Sequence, residues 1–297
     1  MPRIALALSC VLAFALFVGG CGGDDEVRAD LAFVSSRDGD YAIFQMNAQG
    51  GAERRLTDED ANTDVLFFQV EPAWSPDGTK IAFSSRRGGR FDIYVMASDG
   101  TRATRLTSTN AAESHPTWSP DMAQIAFSRG SDVFVMDADG SNAHRISDPL
   151  VEESEPSWSP DGDWIAYVRR TPGTTVREVW LMRPDGSQRH RVTSQNARIF
   201  TPAWSPDSRR IVFVSNEGSE VFALYTIGVD GKGLRRVAPT VGDNFEPSWS
   251  PDGTKIAYQE DGAIYTVELG SGEVERLTDN ANNDSSPAWN PRPPPED

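Results

Sequence analysis

Residues 71–107 read EPAWSPDGTKIAFSSRRGGRFDIYVMASDGTRATRLT, and this stretch decides the fold. Pro72 to Ser75, Ile81 to Ser84, Asp92 to Met96 and Thr104 to Thr107 are short runs that predict four strands, here called a, b, c and d. Between a and b, Ser75-Pro76-Asp77-Gly78 puts Pro where a turn needs its fixed φ and Gly at the fourth position. Asp99-Gly100 turns the chain between c and d. A lone sheet of this kind exposes an apolar face on each side, so it needs neighbours.

The neighbours are in the same chain. Trp74, Trp118, Trp158, Trp204, Trp249 and Trp289 each follow a Pro by two residues, at spacings of 44, 40, 46, 45 and 40. Strand b recurs at Leu31 to Val34, Ile81 to Ser84, Ile125 to Ser128, Ile165 to Val168, Ile211 to Val214 and Ile256 to Gln259. Stacking such units radially buries their faces, which predicts an all-β fold, a six-bladed β-propeller. The first strand b has no strand a before it, and Ser286 to Pro291 is a strand a with no b after it. The C-terminal strand is therefore expected to complete the N-terminal blade and close the ring, removing its edges.

Composition narrows the function. The chain has 297 residues, 38% hydrophobic and 24% charged, enough for a substantial core. With 28 basic against 44 acidic residues, a net charge of −16 and no basic run, nucleic acid is excluded as a partner. Cys10 and Cys21 fall in the first 21 residues, so the repeats carry no disulfide and no thiolate. Three His against eight Trp favours architecture over chemistry, and no cofactor is expected.

Met1-Pro2-Arg3 followed by the apolar run Ile4 to Val18 reads as a secretory signal, too short for a membrane span. It ends in Val18-Gly19-Gly20-Cys21, which resembles a bacterial lipobox. That resemblance implies a signal peptide over 1–20, acyl chains such as palmitate on Cys21, and an extracytoplasmic protein anchored to a bacterial membrane. Residues 21–28 are then the lipidated Cys and a short tether, 29–291 the propeller, and 292–297 a disordered tail.

The PxWSPDGxxIAF repeat over residues 29–291 resembles the TolB-type, WD40-like propellers. The resemblance implies an envelope or periplasmic propeller, although TolB proteins carry an α/β domain before the propeller where a short tether is expected here. Propeller-bearing peptidases of the prolyl oligopeptidase type are a weaker match, because the chain contains no GxSxG.

Elements present in every blade are expected to serve the blade. Arg55, Arg105, Arg145, Arg191, Arg236 and Arg276 recur on strand d, and Met46, Met96, Met136 and Met182 on strand c. Asp137 to Ser141, which resembles the start of a calcium loop, occupies the common c-to-d turn. His144 and His190 hold equivalent outer positions, His115 precedes Pro116, and no two of these histidines share a metal; no catalytic residue is expected.

Function is expected where the repeats differ, on the d-to-a loops. Five of these have eight residues, while 58–71 has fourteen and includes the apolar stretch Leu66-Phe67-Phe68. Around the ring, the residue before each Pro is Glu71, His115, Glu155, Thr201, Glu246 and Ser286, with Phe200 and Phe245 one position earlier in neighbouring blades. These residues predict an acidic channel mouth with an aromatic rim, suited to a cationic group of an envelope protein or peptide bound by a monomeric propeller. The alternative is a hydrolase or lyase acting on envelope carbohydrate or peptide, using Glu71, Glu155 and Glu246 with a metal or as an acid/base set.

Overall fold

A computed structural model describes residues 30–57, 71–87, 89–194, 197–217, 221–238 and 246–292. Their strands form six four-stranded antiparallel sheets. Blade 2 runs Ala73–Trp74, Lys80–Ser85, Asp92–Ala97 and Thr104–Arg105 as strands a to d. Blade 3 is Glu113–Trp118, Gln124–Arg129, Asp132–Asp137 and His144–Arg145. Blade 4 is Glu153–Trp158, Ile165–Arg170, Arg177–Met182 and His190–Arg191. Blade 5 is Ile199–Trp204, Arg210–Ser215, Ala223–Gly228 and Arg235–Ala238. Blade 6 is Ser248–Trp249, Lys255–Glu260, Ala263–Glu268 and Val274–Arg276.

Blade 1 joins both ends of the chain, as expected. Its strands b to d are Leu31–Ser35, Ala42–Met46 and Arg54–Arg55, and its strand a is Ser285–Trp289. Leu31 pairs with Trp289 and Ala32 with Ala288. The core follows from this closure, because the buried apolar residues form one cluster at each junction between consecutive blades. Ile211 and Phe213 of blade 5, for example, pack against Val179 and Leu181 of blade 4. Neither face of a blade could stay folded alone.

Inside each blade, strands b and c carry an aromatic pair in register: Phe33 with Phe44, Phe83 with Tyr94, Phe127 with Phe134, Tyr167 with Trp180, Phe213 with Tyr225, and Tyr258 with Tyr265. Cross-strand pairs of this kind each contribute roughly 0.2–1 kcal/mol relative to an Ala–Ala pair. Strand d is short, and side chains add to its tethering. Thr57, Thr107, Thr193 and Thr278 accept from the N–H of Ile43, Ile93, Val179 and Ile264 at 2.9–3.0 Å. The recurrent arginine of strand d works within its blade: Arg105 donates to Asp92 at 2.7 Å, and Arg191 to Glu178 at 2.9 Å.

The repeated Trp stitches blade to blade. Its indole N–H donates to a carbonyl of the preceding blade in Trp118–Ala73 at 3.2 Å, Trp204–Ser157 at 2.9 Å and Trp249–Ala203 at 3.2 Å. Each Ser-Pro-Asp turn is locked by the Ser hydroxyl donating to the Asp carboxylate, as in Ser119–Asp121 and Ser205–Asp207 at 2.6 Å.

Candidate functional site

The six residues preceding the prolines come together as expected. Glu71, His115, Glu155, Thr201, Glu246 and Ser286 all line one end of a central channel of about 490 Å³, whose other end is walled by the repeated Trp and by Pro160, Pro206, Pro251 and Pro291. Their backbone is not that of ordinary loops. His115, Glu155, Thr201 and Ser286 lie within strand a, each beside a register shift against strand b. Of the six ring residues, all expected on d-to-a loops, Glu71 and Glu246 therefore do precede their strands, while the other four lie within theirs.

The bulge has a cause and a cost. The following Pro has no N–H for the ladder, so the strand must break register there. Glu71, His115, Glu155, Thr201 and Ser286 adopt φ of 33°, 52°, 56°, 48° and 50°, left-handed values that cost non-glycine residues about 1–3 kcal/mol each. The neighbouring blade supplies compensation. Glu71 Oε2 accepts from the His115 N–H and from Ser84 Oγ at 3.2 Å. Glu155 Oε2 accepts from the Thr201 N–H at 2.6 Å, and Glu246 bonds the Ser286 side chain. Glutamates on blades 2, 4 and 6 thus each hold the bulge of the next blade, which explains their alternation. The Glu155 N–H is itself held by Ser128 Oγ of blade 3 at 2.9 Å.

These bonds leave oxygen atoms over. Glu71 Oε1, Glu246 Oε2 and Thr201 Oγ1 are buried without a hydrogen-bond partner. Glu71 Oε1 stands 3.2 Å from His115 Nε2, an ion-pair distance. The electrostatics match. Burial, then the charge of Glu71, push the Glu246 carboxyl up to about 7. His115 is raised above its ordinary 6.5: burial opposes its charge, but Glu71, Glu155 and Glu246 together outweigh burial. Among the described residues no three His, Cys, Asp or Glu converge as metal ligands would.

Of the expected aromatic rim, Phe200 alone lies among the described residues. Phe200 packs edge-on against Phe222 at 5.6 Å between centroids and lies under Arg177 at 4.7 Å, so its ring is largely committed to the blade. Leu66, Phe67, Phe68 and Phe245 lie outside the described residues, as do Cys21 and the expected signal and tether. No helix among the described residues is long and apolar enough to cross a membrane.

Sequence reasoning missed two groups of residues. Glu113, Glu153 and Asp284, each two positions before the ring residue, are fully buried and face Arg129 at 2.7 Å, Arg169 at 3.4 Å and Arg37 at 3.2 Å. They brace the base of the loops in three blades. The b-to-c turns, which share the face with the d-to-a loops, were the other omission, although their unequal lengths are visible in the sequence.

The model of the TolB beta propeller domain matches residues 28–134 and 130–293. The chain belongs to the TolB beta-propeller domain family. Among curated relatives, the Tol-Pal system protein TolB of Geobacter sulfurreducens is 33% identical over 80 residues, which are 27% of this chain and 17% of that protein. An uncharacterised Agrobacterium fabrum protein is 31% identical over 84 residues, 28% of this chain and 27% of its own length. The chain thus spans about a quarter or less of these relatives. Two solved structures share the fold: TolB from Acinetobacter baumannii, with a TM-score of 0.73 and 20% identity over 89% of this chain and 67% of that one, and a putative TolB from Agrobacterium tumefaciens, at 0.66 and 21% over 84% and 89%.

Proposed function

We propose that this TolB-family propeller is a non-catalytic binding protein of the bacterial cell envelope. In this reading residues 1–20 are removed, Cys21 carries the lipid that holds the protein to its membrane, and the face bearing the channel ring captures a protein or peptide partner. The observation that carries the reading is Glu246 Oε2, a carboxylate oxygen buried without a hydrogen-bond partner beside an open channel, on the same ring as Glu71 Oε1, whose one close donor is His115. A buried charged oxygen left without a donor is costly, so the ring favours a guest that brings N–H groups and positive charge. A lysine or arginine side chain does both, and separated acceptors suit it better than they suit a bare ion, which needs converging ligands.

A rigid closed ring also loses little entropy on binding. The Geobacter sulfurreducens relative is named for the Tol-Pal system, which supports an envelope assembly as the setting. The test is capture from solubilised envelope membranes, comparing the full chain with its Glu71→Gln, Glu246→Gln double variant. The amide oxygens can still accept from His115 and Ser286, so the bulges persist while the charge is gone. At least tenfold lower recovery of the captured protein is expected; equal recovery contradicts the reading.

A further inference from the structure

A second concavity lies beside the ring. It is a polar groove of about 220 Å³ between blades 3 and 4, and His115 and Glu155 line both it and the channel. Two features of the sequence create it. The b-to-c turn of blade 3 is only Gly130-Ser131, while that of blade 4 runs from 171 to 176, so blade 3 lies low beside a tall neighbour. In addition, the position before the ring residue, Phe200 in blade 5, is Ser114 in blade 3 and Ser154 in blade 4. Small side chains leave open the space that an aromatic ring would fill.

The walls define the guest. Arg170 donates twice to Glu152, at 2.9 and 3.0 Å, and Arg177 donates to Glu155 at 3.4 Å. Arg170 and Glu152 are half exposed, and pairs of that kind contribute about 0–1 kcal/mol, so either partner can be redirected to a ligand. Serine hydroxyls add groups that donate or accept, and Val168 is the sole aliphatic side chain bordering the groove. Such a surface asks for alternating donors and acceptors with no net charge and little apolar bulk. The main chain of an extended peptide supplies that pattern. A sugar also presents donors and acceptors, but no Trp, Tyr or Phe lines the groove to stack on its ring. The volume falls below the roughly 300–1,000 Å³ usual for compact ligands, which again fits a short length of chain. At the outer end Leu150, two residues before Glu152, is 86% exposed and offers one apolar contact.

We propose that this groove seats the main chain of an extended peptide whose cationic side chain occupies the neighbouring ring, the segment running outward past His115 and Glu155. The partner is then read as a linear segment rather than a folded surface. The inference rests on the reading of the ring given above, and its test separates the two.

The probe is an array of random twelve-residue peptides, each with one fixed lysine, screened against the full chain. The tightest binders are then titrated by calorimetry. Ser131 is exposed and no hydrogen bond ties its side chain, so Ser131→Trp fills the groove and Ser131→Ala serves as the control. Ser131→Trp is expected to weaken binding at least tenfold with an unchanged melting temperature, Ser131→Ala less than twofold, and Glu246→Gln at least fivefold. If Glu246→Gln weakens binding while Ser131→Trp does not, the groove is wrong and the ring stands. If neither matters, both are wrong. Failure to select any peptide overturns the groove, as does binding of chitooligosaccharides that Ser131→Trp blocks.

Discussion

The indole N–H of Trp74 donates to the carbonyl of Ala288 at 3.0 Å, so a strand of the second blade is tied to a residue 214 positions later. This bond sits at the joint where the ends of the chain meet, between blades 1 and 2, whose shared cluster includes Ala32, Ile43, Ile81 and Phe83. Ring closure therefore adds this joint to the apolar clusters at the other five junctions, and each blade packs on both neighbours.

Removing residues 285–297 leaves Leu31 to Ser35 without its inner partner and uncovers the apolar side chains at both faces of blade 1. The expected outcome is loss of the cooperative unfolding transition in calorimetry, with aggregation. The milder Trp74→Phe change keeps most of the apolar contact and deletes the bond to Ala288; it should cost about 1 kcal/mol in denaturant unfolding.

Thr107 tests the outer tether. Its Oγ1 accepts from the Ile93 N–H at 2.9 Å in a buried setting. Thr107→Val preserves shape but leaves that N–H unsatisfied, which should cost about 1–3 kcal/mol. An unchanged unfolding midpoint would show that the Thr107 bond adds nothing to the backbone pairing and the arginine that also hold strand d.

Phe213 probes the junction between blades 4 and 5. It is fully buried and belongs to the cluster that contains Val179 and Leu181. Phe213→Ala should cost about 3–5 kcal/mol, while Phe213→Leu costs less because more of the volume remains filled. Denaturant titration of the two variants checks the order.

The ring sets the pH dependence. Glu246 is raised from 4.5 to about 7, first by burial and then by the charge of Glu71, so between those values the folded state binds a proton that the unfolded state releases. Stability must then fall as pH rises through that window. His115, where burial opposes the charge but the three glutamates outweigh it and raise the group above 6.5, contributes stability that is present below 6.5 and lost as pH climbs through its folded value. In the turns the sign is reversed: the Ser119 and Ser205 hydroxyls hold Asp121 and Asp207 below 3.8, and that stabilisation is lost in acid. Thermal unfolding should therefore show a maximum on the mildly acidic side of neutrality, and Glu246→Gln should flatten the decline from pH 5 to 8. A maximum at pH 8 or above would contradict the assignment.

Much of the architecture was legible because its signals repeat. The Pro before each Trp and the Ser-Pro-Asp turns mark every blade, and the unpaired strand at each end implied the closure through Ser285–Trp289. The ring residues were legible too, as the one position before each Pro where the blades disagree. Their conformation was not, since a left-handed Glu155 or Thr201 carries no glycine to announce it. Nor did the alternation of Glu71, Glu155 and Glu246 reveal that each carboxylate reaches the next blade, a relation that only the curvature of the ring creates. The groove beside Ser131 depends on the difference in height between two adjacent turns, which no single repeat unit contains.

Hydrogen–deuterium exchange on the complex captured from envelope membranes bears most directly on the ring as the recognition site. If the ring is the recognition site, new protection appears around the bulges at His115 and Thr201, with the Ser-Pro-Asp turns at Asp121, Asp161 and Asp207 unchanged. Protection confined to those turns would place the partner on the opposite face and contradict it.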